Sequence, residues 1–181
     1  SLLPAYRGPT PFYWALRNGE RTTGVTVHLL SPAVDQGDVV WQRSLAIAPD
    51  ETLGSLRRRL AELSSLAVLE VLNQISSGLE LKPTPQARDG ESRFPRMTEA
   101  DRRIDLQQPP EVVLRRIRAV SPWPGAILGD MEIEAIESVE RGAAPGRPPG
   151  GEVLSRSSSR CTIRIGGTTA VLRLNKARSD N

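Results

Sequence analysis

Residues 82–91, KPTPQARDGE, contain no large apolar side chain, and two prolines and a glycine interrupt any regular backbone there. Such a stretch buries too little to offset the entropy of ordering it, so no single hydrophobic core runs through it. The 181 residues are therefore predicted to form two bodies, 1–81 and 99–181, joined by a linker over 82–98. An apolar content of 38% is enough to give each body a core.

Periodicity supplies the elements of the first body. Phe12, Ala15 and Leu16 recur at helical spacing between Pro11, which suits a first turn, and Gly19, which suits a stop. Val25, Val27 and Leu29 alternate with Thr26 and His28, and a second β-rich run covers residues 39–47; the two are predicted to be neighbouring strands of one sheet. Asp50 and Thr52 open a long helix in which Leu53, Leu56, Leu60, Leu63, Ala67, Val71 and Ile75 recur until Gly78. Residues 66–72 are apolar nearly all round, which predicts burial on more than one side.

In the second body, Pro109 and Pro110 start a helix whose apolar side is Val113, Leu114, Ile117 and Val120. Short β-rich runs near residues 126–128, 131–139, 152–154, 161–165 and 170–174 then read as a small barrel or sandwich. The Gly- and Pro-rich insert 142–151 is predicted to be an irregular loop.

Composition narrows the chemistry. The one cysteine, Cys161, lies in an alternating run, forms no internal disulfide and fits a reducing cytoplasm. One cysteine and one histidine also argue against a zinc site of the usual ligands, and no apolar run reaches the length of a membrane span. The net charge of +3 favours an anionic partner such as RNA or a nucleotide sugar. Arg57-Arg58-Arg59 and Arg115-Arg116 read as solvated helix faces.

Asp35 and Asp38 flank Gly37 on a loop just past an apolar strand, a position from which a carboxylate can move protons. Aspartates in this setting equally cap turns, and two carboxylates are too few ligands for a hard cation. The residues alone leave the first two readings open. His28 reads as a half-buried structural histidine, and Trp14, Trp41 and Trp123 read as packing residues.

Four motifs then stand together: SLLPAYRG at residues 1–8, TGVT from Thr23, Val34-Asp35-Gln36-Gly37-Asp38, and Ser121-Pro122-Trp123-Pro124-Gly125-Ala126. In order and spacing they resemble the folate-dependent formyltransferase family over nearly the whole chain. The resemblance implies an α/β fold: the C-terminal half of a Rossmann-like formyltransferase catalytic domain followed by a small OB-like β-barrel domain. It also implies transfer of a formyl group from 10-formyltetrahydrofolate to a primary amine, without a metal.

Carried across, Asp35 takes the catalytic aspartate's role, while Leu30, Ser31, Val34 and Gly37 line the pterin pocket. Ser1, Leu3, Pro4, Tyr6, Arg7 and Gly8 fall near the acceptor, although Arg7 by itself reads as a solvated arginine. Trp123 would anchor the junction between the domains. The family's Asn and His belong upstream of Ser1, so the chain is expected to be a fragment lacking the N-terminal half of the catalytic domain and inactive alone. Initiator methionyl-tRNA is the first acceptor this implies, followed by a 4-amino sugar nucleotide, a carrier-bound aminoacyl group, or a non-catalytic relic of the fold. Glu132, Glu134 and Glu137 on one strand do not suit a phosphate-binding face.

Overall fold

The computed structural model describes residues 1–142 and 150–175. The chain divides into two compact units: Ser1–Glu51 with Ser55–Met97, and Thr52–Gly54 with the chain from Thr98 onward.

In the first unit, α1 (Pro11–Asn18) begins on its proline and ends at Gly19, whose φ of 78° is the left-handed stop expected of glycine. Tyr13, Ala15 and Leu16 form its buried face. β1 (Thr22–His28) and β2 (Val39–Ala46) pair antiparallel, from Thr22 opposite Ala46 to Val27 opposite Trp41, and a bulge then sets His28 opposite Val39. The bulge re-aims the end of the hairpin, where the loop carrying Asp35 begins.

α2 (Leu53–Ser76) follows. Just ahead of it, the buried carboxylate of Glu51 accepts from the Ser55 hydroxyl and pairs with Arg59, a role the sequence assigned to Asp50 and Thr52. Leu56, Leu63 and Ala67 are buried, but Leu66, Val68, Leu69, Leu72 and Ile75 are each half exposed or more. The predicted two-sided burial of this helix is thus corrected. Its polar tie to the hairpin is Glu70, which accepts from the Trp41 indole at 2.7 Å and pairs with Arg43 at 3.0 Å; the Trp41 bond is the chief reason its carboxyl lies below the usual range.

The polar segment after α2 is ordered by hydrogen bonds and ring stacking. Thr84 and Val39 exchange both backbone bonds, at 2.8 and 2.9 Å. Further on, Arg7 donates its backbone N–H to Ser92 and Phe94 donates back to Arg7, both at 2.9 Å. The Phe94 ring stacks on Tyr6 at 4.8 Å and on Trp14 at 5.1 Å, and the Trp14 indole donates to the Pro95 carbonyl. The strap lies across the SLLPAYRG segment.

The second unit opens with a 3-10 turn at Ala100–Arg102 and α3 (Pro110–Arg118), which buries Val113, Leu114 and Ile117. Five strands follow: β3 (Ala126–Leu128), β4 (Met131–Arg141), β5 (Gly151–Arg156), β6 (Arg160–Ile165) and β7 (Thr168–Leu174). They form one antiparallel sheet in the order β3-β4-β7-β6-β5. Cys161, Ile163 and Ile165 on β6 and Ala170, Leu172 and Leu174 on β7 turn to the core, each large one contributing about 1.5–3 kcal/mol.

The expected closed OB-like barrel is corrected. β3 and β5 are the outer strands of the five, and the far side of β3 carries an isolated bridge from Ile127 to Arg103 in place of β5, so the sheet is open. β3 has only three residues to offer, too short an edge to close against β5. The Rossmann-like half is corrected as well: its α1-β1-β2-α2 portion is followed along the chain by a C-terminal α3-to-β7 portion, and its strands form an antiparallel hairpin in place of a parallel sheet. Trp123, read as a packed anchor, is 71% exposed. Of the predicted loop 142–151, residues 143–149 lie outside the described residues.

Candidate active site

Asp35 occupies the left-handed region with φ 59°, the conformation that asparagine and aspartate tolerate best among residues with a side chain. The backbone N–H of Gly8 donates to its Oδ2 at 2.8 Å. Its Oδ1 faces His28 Nε2 at 3.8 Å, an ion-pair separation too long for a hydrogen bond. His28 Nδ1 donates to the Leu29 carbonyl at 2.8 Å, which fixes the ring and leaves Nε2 toward the carboxylate. Both side chains are largely buried, 19% and 29% exposed respectively.

Together they line a cavity of about 150 Å³, with Ser1, Leu3, Gly8, Pro11 and Thr26 as the remaining walls. Thr26 Oγ1 organises that wall: it donates to the Ser1 carbonyl at 2.8 Å and accepts from Leu3 N–H at 3.2 Å and from Gln42 Nε2 at 2.8 Å. Close backbone approach explains two glycines. A Cβ on Gly8, at φ +124°, would lie 2.2 Å from the Phe94 carbonyl oxygen, and one on Gly37 would lie 1.7 Å from that of Leu29.

The other residues singled out from the sequence do not line this cavity. Leu30 is 96% exposed and Val34 is also exposed, with the Ser31 hydroxyl bonded to the Ala33 carbonyl between them. Tyr6, at φ 59°, donates its hydroxyl to Glu20 at 2.6 Å; burial first, and that bond second, push its phenol up to about 12. The Pro4 carbonyl accepts from Ser92 N–H at 3.4 Å. Arg7 is corrected: its side chain is 6% exposed, paired with Glu91 and donating to Gln86 Oε1 at 2.7 Å.

Sequence reasoning missed His28 as a neighbour of Asp35, although Thr26 and His28 share the polar face of β1 and so point to one side. It missed Gln86 entirely. A larger cavity, about 1260 Å³, opens on the second unit beside Trp123, and neither histidine nor cysteine lines it. Its arginines are committed, Arg102 to Glu132 and Arg156 to Asp130. His28 and Asp35 meet at the smaller one. Among the described residues no group of three or more His, Cys, Asp or Glu side chains is placed to hold a metal ion, and no helix is long and apolar enough to cross a membrane.

Two family models match this chain: "Formyl transferase" over residues 1–72 and "Formyl transferase, C-terminal domain" over residues 96–180. The chain belongs to the formyltransferase family. Those two matches overturn the expectation of a fragment without the N-terminal part of the catalytic domain, since the N-terminal and C-terminal family models are both represented. The methionyl-tRNA formyltransferase of Heliobacterium modesticaldum is 42% identical over 130 residues, 72% of this chain and 41% of that protein. That of Myxococcus xanthus is 37% identical over 174 residues, 95% of this chain and 54% of that protein. The chain spans about half the length of the curated relatives it matches.

Among solved formyltransferase-like folds, HypX from Aquifex aeolicus in complex with tetrahydrofolic acid superposes with a TM-score of 0.71 at 28% identity, over 97% of this chain and 31% of that one. An N-formyltransferase from Helicobacter canadensis, in complex with folinic acid and dTDP-3-aminofucose, superposes with a TM-score of 0.79 over 97% of this chain and 64% of that one. At 16% identity it shows the shared fold.

Proposed function

We propose that this formyltransferase moves a formyl group from 10-formyltetrahydrofolate to a primary amine, with Asp35 as its acid–base group. The observation that carries this reading is the placement of Asp35: one oxygen is held by Gly8 N–H, and the other is turned to a cavity wall shared with His28. An amine that attacks a formyl carbon must give up a proton. A carboxylate fixed in one orientation takes such a proton without first reorganising. His28, with its Nδ1–H committed to Leu29, keeps Nε2 aimed at the same carboxylate.

The folate supplies the formyl carbon and the nitrogen that leaves it. The loop that carries Asp35 fits a flat, partly apolar ring: Leu30 and Val34 expose apolar surface on it, and Gly37 keeps it tight. A pterin would cover that surface.

Two acceptors suit this site. A nucleotide-linked amino sugar is favoured by the charges of the second unit, where Arg102, Arg156, Arg160, Arg164 and Arg173 are each paired with a carboxylate. Arginines paired in this way offer little to a phosphate backbone, whose condensed counterions are displaced by unpaired cations. Methionyl-tRNA is the second reading, supported by the names of the relatives that are 37–42% identical.

Formyl transfer from 10-formyltetrahydrofolate, measured side by side on an amino-sugar nucleotide and on charged initiator tRNA, tests both levels. Turnover of the sugar supports the first acceptor, and turnover of the tRNA with a steep salt dependence supports the second. Transfer to neither amine contradicts the proposal.

A further inference from the structure

Residues 73–95 fall between the two family-matched spans, and within them one side chain reaches the Asp35 loop. Gln86 Nε2 donates to the carbonyl of Asp35 at 3.0 Å and to that of Gly37 at 2.7 Å. Its Oε1 accepts from Arg7 Nη2 at 2.7 Å. The amide orientation is forced by chemistry: a guanidinium only donates and a carbonyl only accepts, so Oε1 faces Arg7 and Nε2 faces the loop.

The loop needs such a hold. Asp35 sits at φ 59°, a conformation that costs a residue with a Cβ about 1–2 kcal/mol unless its surroundings fix it. Gln86 bonds the carbonyls of residues 35 and 37, holding the end of the turn that aims the carboxylate. Through Arg7 it also grips the chain one residue before Gly8, whose N–H holds Asp35 Oδ2. Arg7 in turn is buried and anchored by Glu91, farther along the same strap. Both backbone segments that define the carboxylate's position therefore converge on one amide.

We infer that Gln86 is a positioning residue, which sets the Asp35 carboxylate by pinning the backbone carbonyls of Asp35 and Gly37. The catalytic consequence rests on the reading of Asp35 as the acid–base group. The geometric part does not. A glutamate at this position would keep the contact with Arg7 and lose both donations to the loop, setting carboxylate lone pairs against two carbonyl oxygens. Gln86→Glu thus separates the anchoring of the strap from the positioning of the loop.

The test is amide hydrogen exchange by NMR on the full chain, for Gln86→Glu and for the uncharged Gln86→Met. Gly8 N–H reports on Asp35 Oδ2, Leu29 N–H reports on the loop through Asp38 O, and Ile47 N–H, bonded to Arg21 O at the far end of the hairpin, is the control. Loss of the two bonds to the loop, common to both variants, predicts exchange at Gly8 and Leu29 about tenfold faster, with Ile47 unchanged. Unchanged protection at Gly8 and Leu29, or equal loss at Ile47, overturns the inference. Where formyl transfer is measured, kcat falls in both variants while KM for the folate holds; an unchanged kcat also overturns it. A parent protein that transfers no formyl group refutes the proposed function and leaves the exchange result to decide the role of Gln86.

Discussion

Replacing Gly8 by alanine tests the close packing of the strap on the SLLPAYRG segment. At φ +124° the backbone lies where only glycine is at ease, a strain of about 1–3 kcal/mol for alanine. The new Cβ would sit 2.2 Å from the Phe94 carbonyl oxygen, roughly 1 Å inside ordinary contact, and that oxygen belongs to backbone, which cannot swing aside like a side chain. Relief requires the strap to move at Phe94, which strains the bond from Phe94 N–H to the Arg7 carbonyl, worth about 0.5–1.5 kcal/mol net. The sum is about 1.5–4.5 kcal/mol, a substantial part of the about 5–15 kcal/mol that holds a typical domain together. Urea unfolding of Gly8→Ala reads it as a lower midpoint at unchanged slope. A variant within about 0.5 kcal/mol of the parent would show that the strap does not press on residue 8, and the described packing would be wrong.

Further outcomes follow from the burial pattern and the titrating groups. Leu56→Ala, at a fully buried position, lowers the unfolding free energy by about 2–5 kcal/mol, whereas Leu69→Lys and Leu72→Lys on the exposed face of α2 change it by under about 1 kcal/mol; urea titrations compare them directly. The Tyr6 phenol is raised in the folded state from 10.0 to about 12, so its contribution to stability is complete below the lower value and is lost as pH climbs through the upper one. Tyr6→Phe flattens that alkaline decline, which a pH series of unfolding midpoints detects. Burial pushes the Cys161 thiol up, so the folded chain resists alkylation at neutral pH and reacts once unfolded.

Local regularities were legible in the sequence because local physics sets them. Pro11 and Gly19 bound α1 as read, the Val25 and Val27 alternation marks β1, and each predicted run in the second body is a strand. What periodicity omits is the identity of the partner. Apolar residues 66–72 read as buried on several sides, yet hydrophobicity states a preference for burial and supplies no neighbour, and the helix exposes Leu66, Val68, Leu69 and Leu72. Barrel closure failed for the same reason, since it depends on whether β3 meets β5, strands far apart in the chain.

The candidate site was half legible. Motif resemblance pointed to Asp35 and to the SLLPAYRG segment, and Ser1, Leu3, Gly8 and Asp35 do meet at one cavity. Arg7 was misread because an arginine in a loop is usually solvated, and nothing in its neighbours' identities announces Glu91 and Gln86. Gln86 sits in a segment whose composition promises no core. Polar side chains and backbone groups order it, a kind of structure that apolar patterning does not register.

Formyl transfer by the protein carrying Asp35→Asn, set against Asp38→Asn, tests the central claim most directly. Loss of the acid–base carboxylate at position 35 predicts a fall in kcat of about 100-fold or more, while the change at position 38, whose backbone carbonyl still accepts from Leu29, predicts a small one. Equal losses, or full turnover without the Asp35 carboxylate, would contradict it.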